Sequence, residues 1–362
     1  MLFYLFLFSI SCLLLFQGQK SSAKWNIWTI LGLFIPSFFA AIRGEYVGTD
    51  TPTYLFLYES SNLLTFDEFL ISDRISVEPF FYLCSKIGYY LTGFSTTMFI
   101  YQGLTVFFLY EAAYKFRNHL NIALVFFLYF TFIFPYSLNI TRQTLAMMYL
   151  LWLGTYLVRG KKYVFILGSL LGILIHSSIV AGAIIFYWCW FIYKIENNKK
   201  RKIYFSLSII AIGGLILVFQ KLTPILQLME IGEMARYGHY IEDGRSYVGK
   251  TDLILRILFL VILFLCANVR IVSNKFFYTI TILLGIEMML IFCGSITKVI
   301  FRLALYCTCI DILVVPYLLM SKRFNRNSRL LAQWSMVVIG LVYWWYTMVL
   351  RGTNETIPYY IM

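Results

Sequence analysis

Six ionisable side chains stand in or beside long apolar stretches of this chain: Glu111, Arg142, His176, Glu287, Arg302 and Asp311. Charge at such places is costly, so each is a functional candidate. Glu111 has a bland role available near the cationic Lys115 end of its segment. Glu287 and Asp311 can pair with cations on neighbouring helices, and Arg302 can anchor at an interface. Arg142 and His176 stand apart because polar company surrounds them. Asn139-Ile140-Thr141-Arg142-Gln143 follows Pro135 and opens an apolar segment over 143–158. A helix starting there presents free backbone N–H groups and the positive end of its dipole. Beside a guanidinium, that arrangement suits a phosphate or diphosphate, with Asn139 and Gln143 orienting what binds. The plain reading of Arg142 is a helix start reaching lipid headgroups. His176-Ser177-Ser178 interrupts 31 otherwise apolar residues, 163–193, and offers an imidazole as proton acceptor. Its plain reading is a helix–helix hydrogen-bond partner. Two carboxylates complete the set. Asp50 ends Arg43-Gly44-Glu45-Tyr46-Val47-Gly48-Thr49-Asp50, and Glu78 opens Glu78-Pro79-Phe80-Phe81. Carboxylates among rings and glycine turns suit carbohydrate, whose faces stack on aromatics and whose hydroxyls bond to oxygen. Asp50, His176 and Glu78 are therefore the candidate bases, and Arg142, Arg302 and Arg43 the candidate anion binders.

The elements that position these groups follow from composition. Hydrophobic residues make up 60% of the chain and charged residues 13%, with a mean hydropathy of +0.77. A soluble domain of 362 residues needs roughly twice that charge. In lipid, every backbone polar group must be satisfied within its own span. Runs such as Ile27–Ile42 and Asp252–Ala267 read as continuously apolar, without the alternation of barrel strands. The expectation is an all-α polytopic membrane protein, one domain over 1–362. Spans are expected near 2–16, 26–42, 97–114, 121–138, 141–158, 203–222, 253–268, 276–294, 300–319 and 330–350. The stretch 163–193 reads as two short helices meeting at His176, because both its flanks are basic and should lie on one side. Ten to twelve spanning or half-spanning helices result. The apolar N-terminus lacks a basic leader and a clear cleavage site, and reads as a retained first span.

The net charge of +13 follows the positive-inside rule rather than marking a nucleic-acid partner. Six short segments hold 18 of the 30 Lys and Arg: 17–24, 115–120, 159–162, 194–202, 268–275 and 321–329. Their one acid is Glu196. This places the longer segments, about 43–95 and 223–252, on the opposite, outer side. In the first of these, Pro79–Leu91 is too short to span and reads as a surface-lying or re-entrant helix. The second carries Arg236, His239 and Arg245. The seven cysteines show no ligand spacing, and neither a disulfide nor a metal site is expected.

Taken in order, the motifs resemble the EpsG family of bacterial polysaccharide polymerases, relatives of the Wzy-type O-antigen and capsule polymerases. The matching residues are Arg43, Val47-Gly48-Thr49-Asp50, Tyr54, Glu78-Pro79, Asn139, Arg142-Gln143, His176 with Ser178, Arg302 with Tyr306, and Ile357-Pro358-Tyr359. Phe80 departs from the family's common Glu-Pro-Gly. The resemblance implies a GT-C-like glycosyltransferase of the bacterial inner (cytoplasmic) membrane, with its site facing the periplasm. It would join repeat units carried on undecaprenyl diphosphate, that lipid being linked to both donor and acceptor. No cofactor is expected: the sequence has no DxD-like pair for a nucleotide-sugar metal, and arginines can stabilise a diphosphate leaving group. Membrane lipids and a chain-length regulator protein are the expected partners, and nucleic acid is not one. Two other readings stay open, a flippase for the same lipid-linked oligosaccharide and an O-antigen ligase. The first is weakened by the lack of a repeat between the halves.

Overall fold

The computed structural model describes residues 1–71, 77–228, 250–268, 273–293, 298–321 and 324–361. They are helical nearly throughout, with no strand among them and one isolated bridge between Arg43 and Ile361. Among the described residues, four helices are long and apolar enough to cross a membrane: Leu2–Lys20, Asn274–Cys293, Ile300–Leu319 and Arg326–Leu350. Shorter apolar helices accompany them, and the all-α polytopic class stands.

The chain forms two compact units, Met1–Val180 with Ile312–Met362, and Ala181–Asp311. In the first, α1 (Leu2–Lys20) packs against α2 (Ile27–Ala41), which starts where the Asn26 side chain accepts the Thr29 N–H at 3.0 Å. The excursion that follows is itself helical: α3 (Thr51–Leu63), α4 (Phe66–Ile71) and α5 (Pro79–Tyr90). α6 (Phe94–Tyr114) packs on α2, α5 and α9 (Thr141–Val158). Where one span was expected over 121–138, two pieces stand, α7 (Ile122–Phe132) and the single turn α8 (Phe134–Ser137). Pro135 has no N–H to continue the ladder, so the chain restarts. α10 (Lys162–Gly172) and α11 (Ile179–Lys194) break around His176, at the residues the apolar run indicated.

Gly172, at the end of α10, packs closely across that break. A Cβ there would lie 2.3 Å from Ile179 Cδ1 and 3.2 Å from Tyr149, so a side chain would wedge the end of α10 off its neighbours. Tyr54, Phe81, Met98, Tyr101 and Leu145 then form a buried cluster that joins α3, α5, α6 and α9 beneath the excursion. Cys84 lies in the same cluster.

The second unit contains most of α11, α12 (Asn198–Leu228), α13 (Lys250–Asn268), α14 (Asn274–Cys293) and part of α15 (Lys298–Leu319). Arg256 stands inside α13, so the run read as continuously apolar carries a buried cation. Residues 229–249, with Arg236, His239 and Arg245, lie outside the described residues. α16 (Arg326–Trp344) continues as a π-helical turn, Trp345–Leu350, and the C-terminal segment belongs to the first unit.

Candidate functional site

The site is built from three chain breaks. Glu78 precedes Pro79, whose ring pushes Glu78 into extended backbone (φ −73°, ψ 150°) and starts α5. The Glu78 side chain does not cap its own helix. It accepts instead from Arg142, at the start of α9, and from His176, between α10 and α11. Arg142 Nη1 donates to Oε2 and His176 Nδ1 meets Oε1. The α5 start is tied to the same break through the backbone, Phe80 N–H to Leu174 O at 3.1 Å. Phe80, the departure from Glu-Pro-Gly, rests edge-on against Tyr101 with ring centroids 5.5 Å apart.

Arg142 lies near two rings, its Cζ 5.8 Å from the centroids of both Tyr54 and Phe81. Its guanidinium also hydrogen-bonds with the Tyr54 hydroxyl, while its Nε is buried without a partner. A second orphan, the hydroxyl of Tyr101, is buried nearby in the same cluster. The three side chains keep 18% (Arg142), 15% (Glu78) and 23% (His176) of their exposure, so the centre is sheltered and still reachable. Burial alone would raise the Glu78 carboxyl. The hydrogen bond from His176 and the charge of Arg142 outweigh it and hold Glu78 below the usual carboxylate range. Glu78 therefore stands ionised with both oxygens engaged, a poor proton acceptor and a good orienter. With Nδ1 carrying the proton toward Glu78, the His176 lone pair is on Nε2.

The other predicted residues separate into supports and neighbours. Arg43 is 0% exposed and all three of its nitrogens are used. Nε donates to Thr51 Oγ1 at 3.2 Å, Nη2 to Leu138 O at 3.0 Å, and Nη1 to Ala40 O. Arg43 thus serves as a strut joining α2, α3 and the α8–α9 turn, sealed from the surface rather than open to a diphosphate. Asn139 is likewise engaged at both ends. Its Oδ1 accepts the Asp50 N–H at 3.2 Å, and its Nδ2 donates to Asn354 O at 3.1 Å. It clips the 48–50 turn to the C-terminal segment. Gly48 must be glycine there, with φ +95° and a Cβ position 2.7 Å from Asn139 Oδ1. The terminal Ile357-Pro358-Tyr359 closes this clip: Tyr359 donates to Phe39 O at 2.7 Å, and Gly44 N–H to Tyr360 O at 2.8 Å.

Asp50 is half-buried at the N-cap of α3, and its charge acts on the buried Tyr54 hydroxyl in the sense opposite to that of Arg142. Gln143 is buried in the first turn of α9. Arg302 lies on α15 in the second unit. Glu111 pairs with Lys24, while Lys115 donates to Thr155 at 2.7 Å, so the expected Lys115 end has a different occupant. Tyr101 was not legible in the sequence, because an aromatic residue in an apolar run carries no distinguishing spacing.

No curated protein and no solved structure matches this chain. One family model does, across residues 25–361, and it spans every element that builds the Glu78 centre. By that match the chain belongs to the EpsG family, polymerase-type membrane proteins of polysaccharide biosynthesis.

Proposed function

We propose that this protein is a glycosyltransferase that joins oligosaccharide repeat units carried on undecaprenyl diphosphate, at the periplasmic face of the bacterial inner membrane. The observation that carries the reading is Glu78 holding Arg142 and His176 together from three separate segments. Glycosyl transfer from a lipid diphosphate needs a cation for the leaving group and a base for the attacking hydroxyl. Arg142 supplies the first. Its Nε is buried without a protein partner and can donate to a phosphate oxygen. His176 supplies the second through Nε2, oriented by Glu78 as carboxylates orient catalytic imidazoles. The acceptor hydroxyl oxygen bonds to the anomeric carbon of the donor. Its proton passes to His176, the carbon–oxygen bond to phosphate breaks, and the electron pair leaves with the diphosphate beside Arg142. Asp50 is the second base candidate, and Arg43 and Asn139 hold the loop that carries it.

The test is polymerisation by purified protein supplied with lipid-linked repeat units. A ladder of chain lengths with stoichiometric release of lipid diphosphate is expected. His176→Ala should lower the rate about 10²–10⁴-fold with substrate binding retained. A wild-type protein that moves the lipid across a bilayer but builds no ladder is a flippase and not a polymerase. A His176→Ala ladder at normal rate removes the imidazole from the mechanism.

A further inference from the structure

The second unit holds a buried polar cluster that glycosyl transfer does not use. Arg256 on α13 donates from Nε to Glu287 Oε1 on α14 at 2.9 Å, and its Nη2 lies 2.8 Å from the same oxygen. Thr308 on α15 accepts from Arg256 Nη2 at 2.8 Å and donates to Glu287 Oε1 at 2.5 Å. One turn further along α15, Asp311 comes within hydrogen-bonding reach of Glu287. Glu287 is 0% exposed and Asp311 1%. Each carboxyl keeps one buried oxygen with no donor, Glu287 Oε2 and Asp311 Oδ2.

Charge and hydrogen bonding point the same way. Arg256 and Glu287 neutralise each other. A second ionised carboxylate would add a net negative charge where no water reaches, beside a like charge. Two carboxyl groups in contact need one hydrogen between them, and that hydrogen would give a partner to acceptors that now have none. The other groups facing the pair do not replace it. Cys307 and Cys309 on α15 and Cys189 on α11 are buried thiols. Asp252, buried one turn before Arg256, is itself an acid.

We propose that Glu287 and Asp311 form a proton-binding site, one exchangeable proton shared between two helices and balanced by Arg256. Its two unpartnered acceptors are carboxylate oxygens. It stands independently of the glycosyltransferase reading. An unfolded chain ionises both carboxyls above about pH 4, so the folded protein binds one proton more. Its stability must then fall as pH rises.

Infrared difference spectroscopy on the full-length protein in detergent or nanodiscs tests this. Wild type should show the carbonyl stretch of a protonated buried carboxyl at neutral pH, shifted in D₂O. Asp311→Asn, which keeps a donor toward Glu287 without the charge, should lose that band. Thermal unfolding from mildly acid to alkaline pH should show wild type losing midpoint temperature relative to Asp311→Asn. If that variant is not recovered folded, the wild-type infrared titration decides alone. Absence of the band, or identical pH dependence in both proteins, overturns the proposal. Stabilisation by sodium chloride over choline chloride, with no band, overturns it in favour of an alkali-metal ion.

Discussion

Glu78 and Glu287 each hold an arginine, Arg142 and Arg256, but Glu78 keeps 15% of its exposure and Glu287 none. Glu78 sits at a pre-proline break, and its partners come from two further breaks. Glu287 lies inside a helix, and its partners come from helix interiors. Chain breaks leave backbone and side-chain groups open to a ligand. Helix interiors seal them, so the Glu287 centre is closed to the surface. The same kind of ion pair is therefore reachable in one region and a sealed lock in the other.

One substitution applied to both arginines puts this contrast at risk. Arg256→Lys replaces a fork that reaches Glu287 and Thr308 together with a single point charge in a sealed site. Breaking a buried pair typically costs about 3–5 kcal/mol. A loss approaching that range is expected in denaturant or thermal unfolding. Arg142→Lys should leave stability nearly unchanged and lower polymerisation tens-fold or more, since a charge-assisted bond carries about 1.5–3 kcal/mol. Ladder assays and unfolding on both variants check the pair. Should Arg142→Lys unfold the protein while polymerising normally per folded molecule, the Glu78 centre is a lock as well.

Glu78→Gln sharpens the comparison through pH. The folded Glu78 is held below its ordinary value, so its stabilisation is complete above that value, about 4.5, and is lost as pH falls through the folded value. The variant should be less stable than wild type at neutral pH, and the gap should close in acid. A constant gap across this range would mean that the Arg142 and His176 contacts do not hold the carboxylate. The smallest effect is expected at Asp50. Asp50→Asn keeps the main-chain bond to Asn139 and should change the polymerisation rate far less than His176→Ala. A larger loss at Asp50 would exchange the two roles.

Much of the Glu78 centre was legible from residue types. Glu78-Pro79, Pro135 before Arg142, and a histidine halfway along an apolar run each signal a place where a helix cannot continue. Gln143 and Asn139 looked like ligand-orienting groups for the same reason, yet Asn139 turned out to clip two loops. An amide at a chain break serves either end equally well, and its partner 215 residues away at Asn354 is invisible in one dimension. Arg256 was hidden by the apolar residues around it.

Hydropathy and charge distribution alone determined that this chain is a helical membrane protein, because lipid leaves the backbone no other way to satisfy its hydrogen bonds. The order of short motifs determined the family. Tertiary structure alone decided which charges meet. Arg43 became a strut because Leu138 O and Thr51 lie within its reach. Glu78 became an orienter because Arg142 and His176 occupy both its oxygens. A carboxylate's role follows from its partners and its exposure, and neither is a property of local sequence.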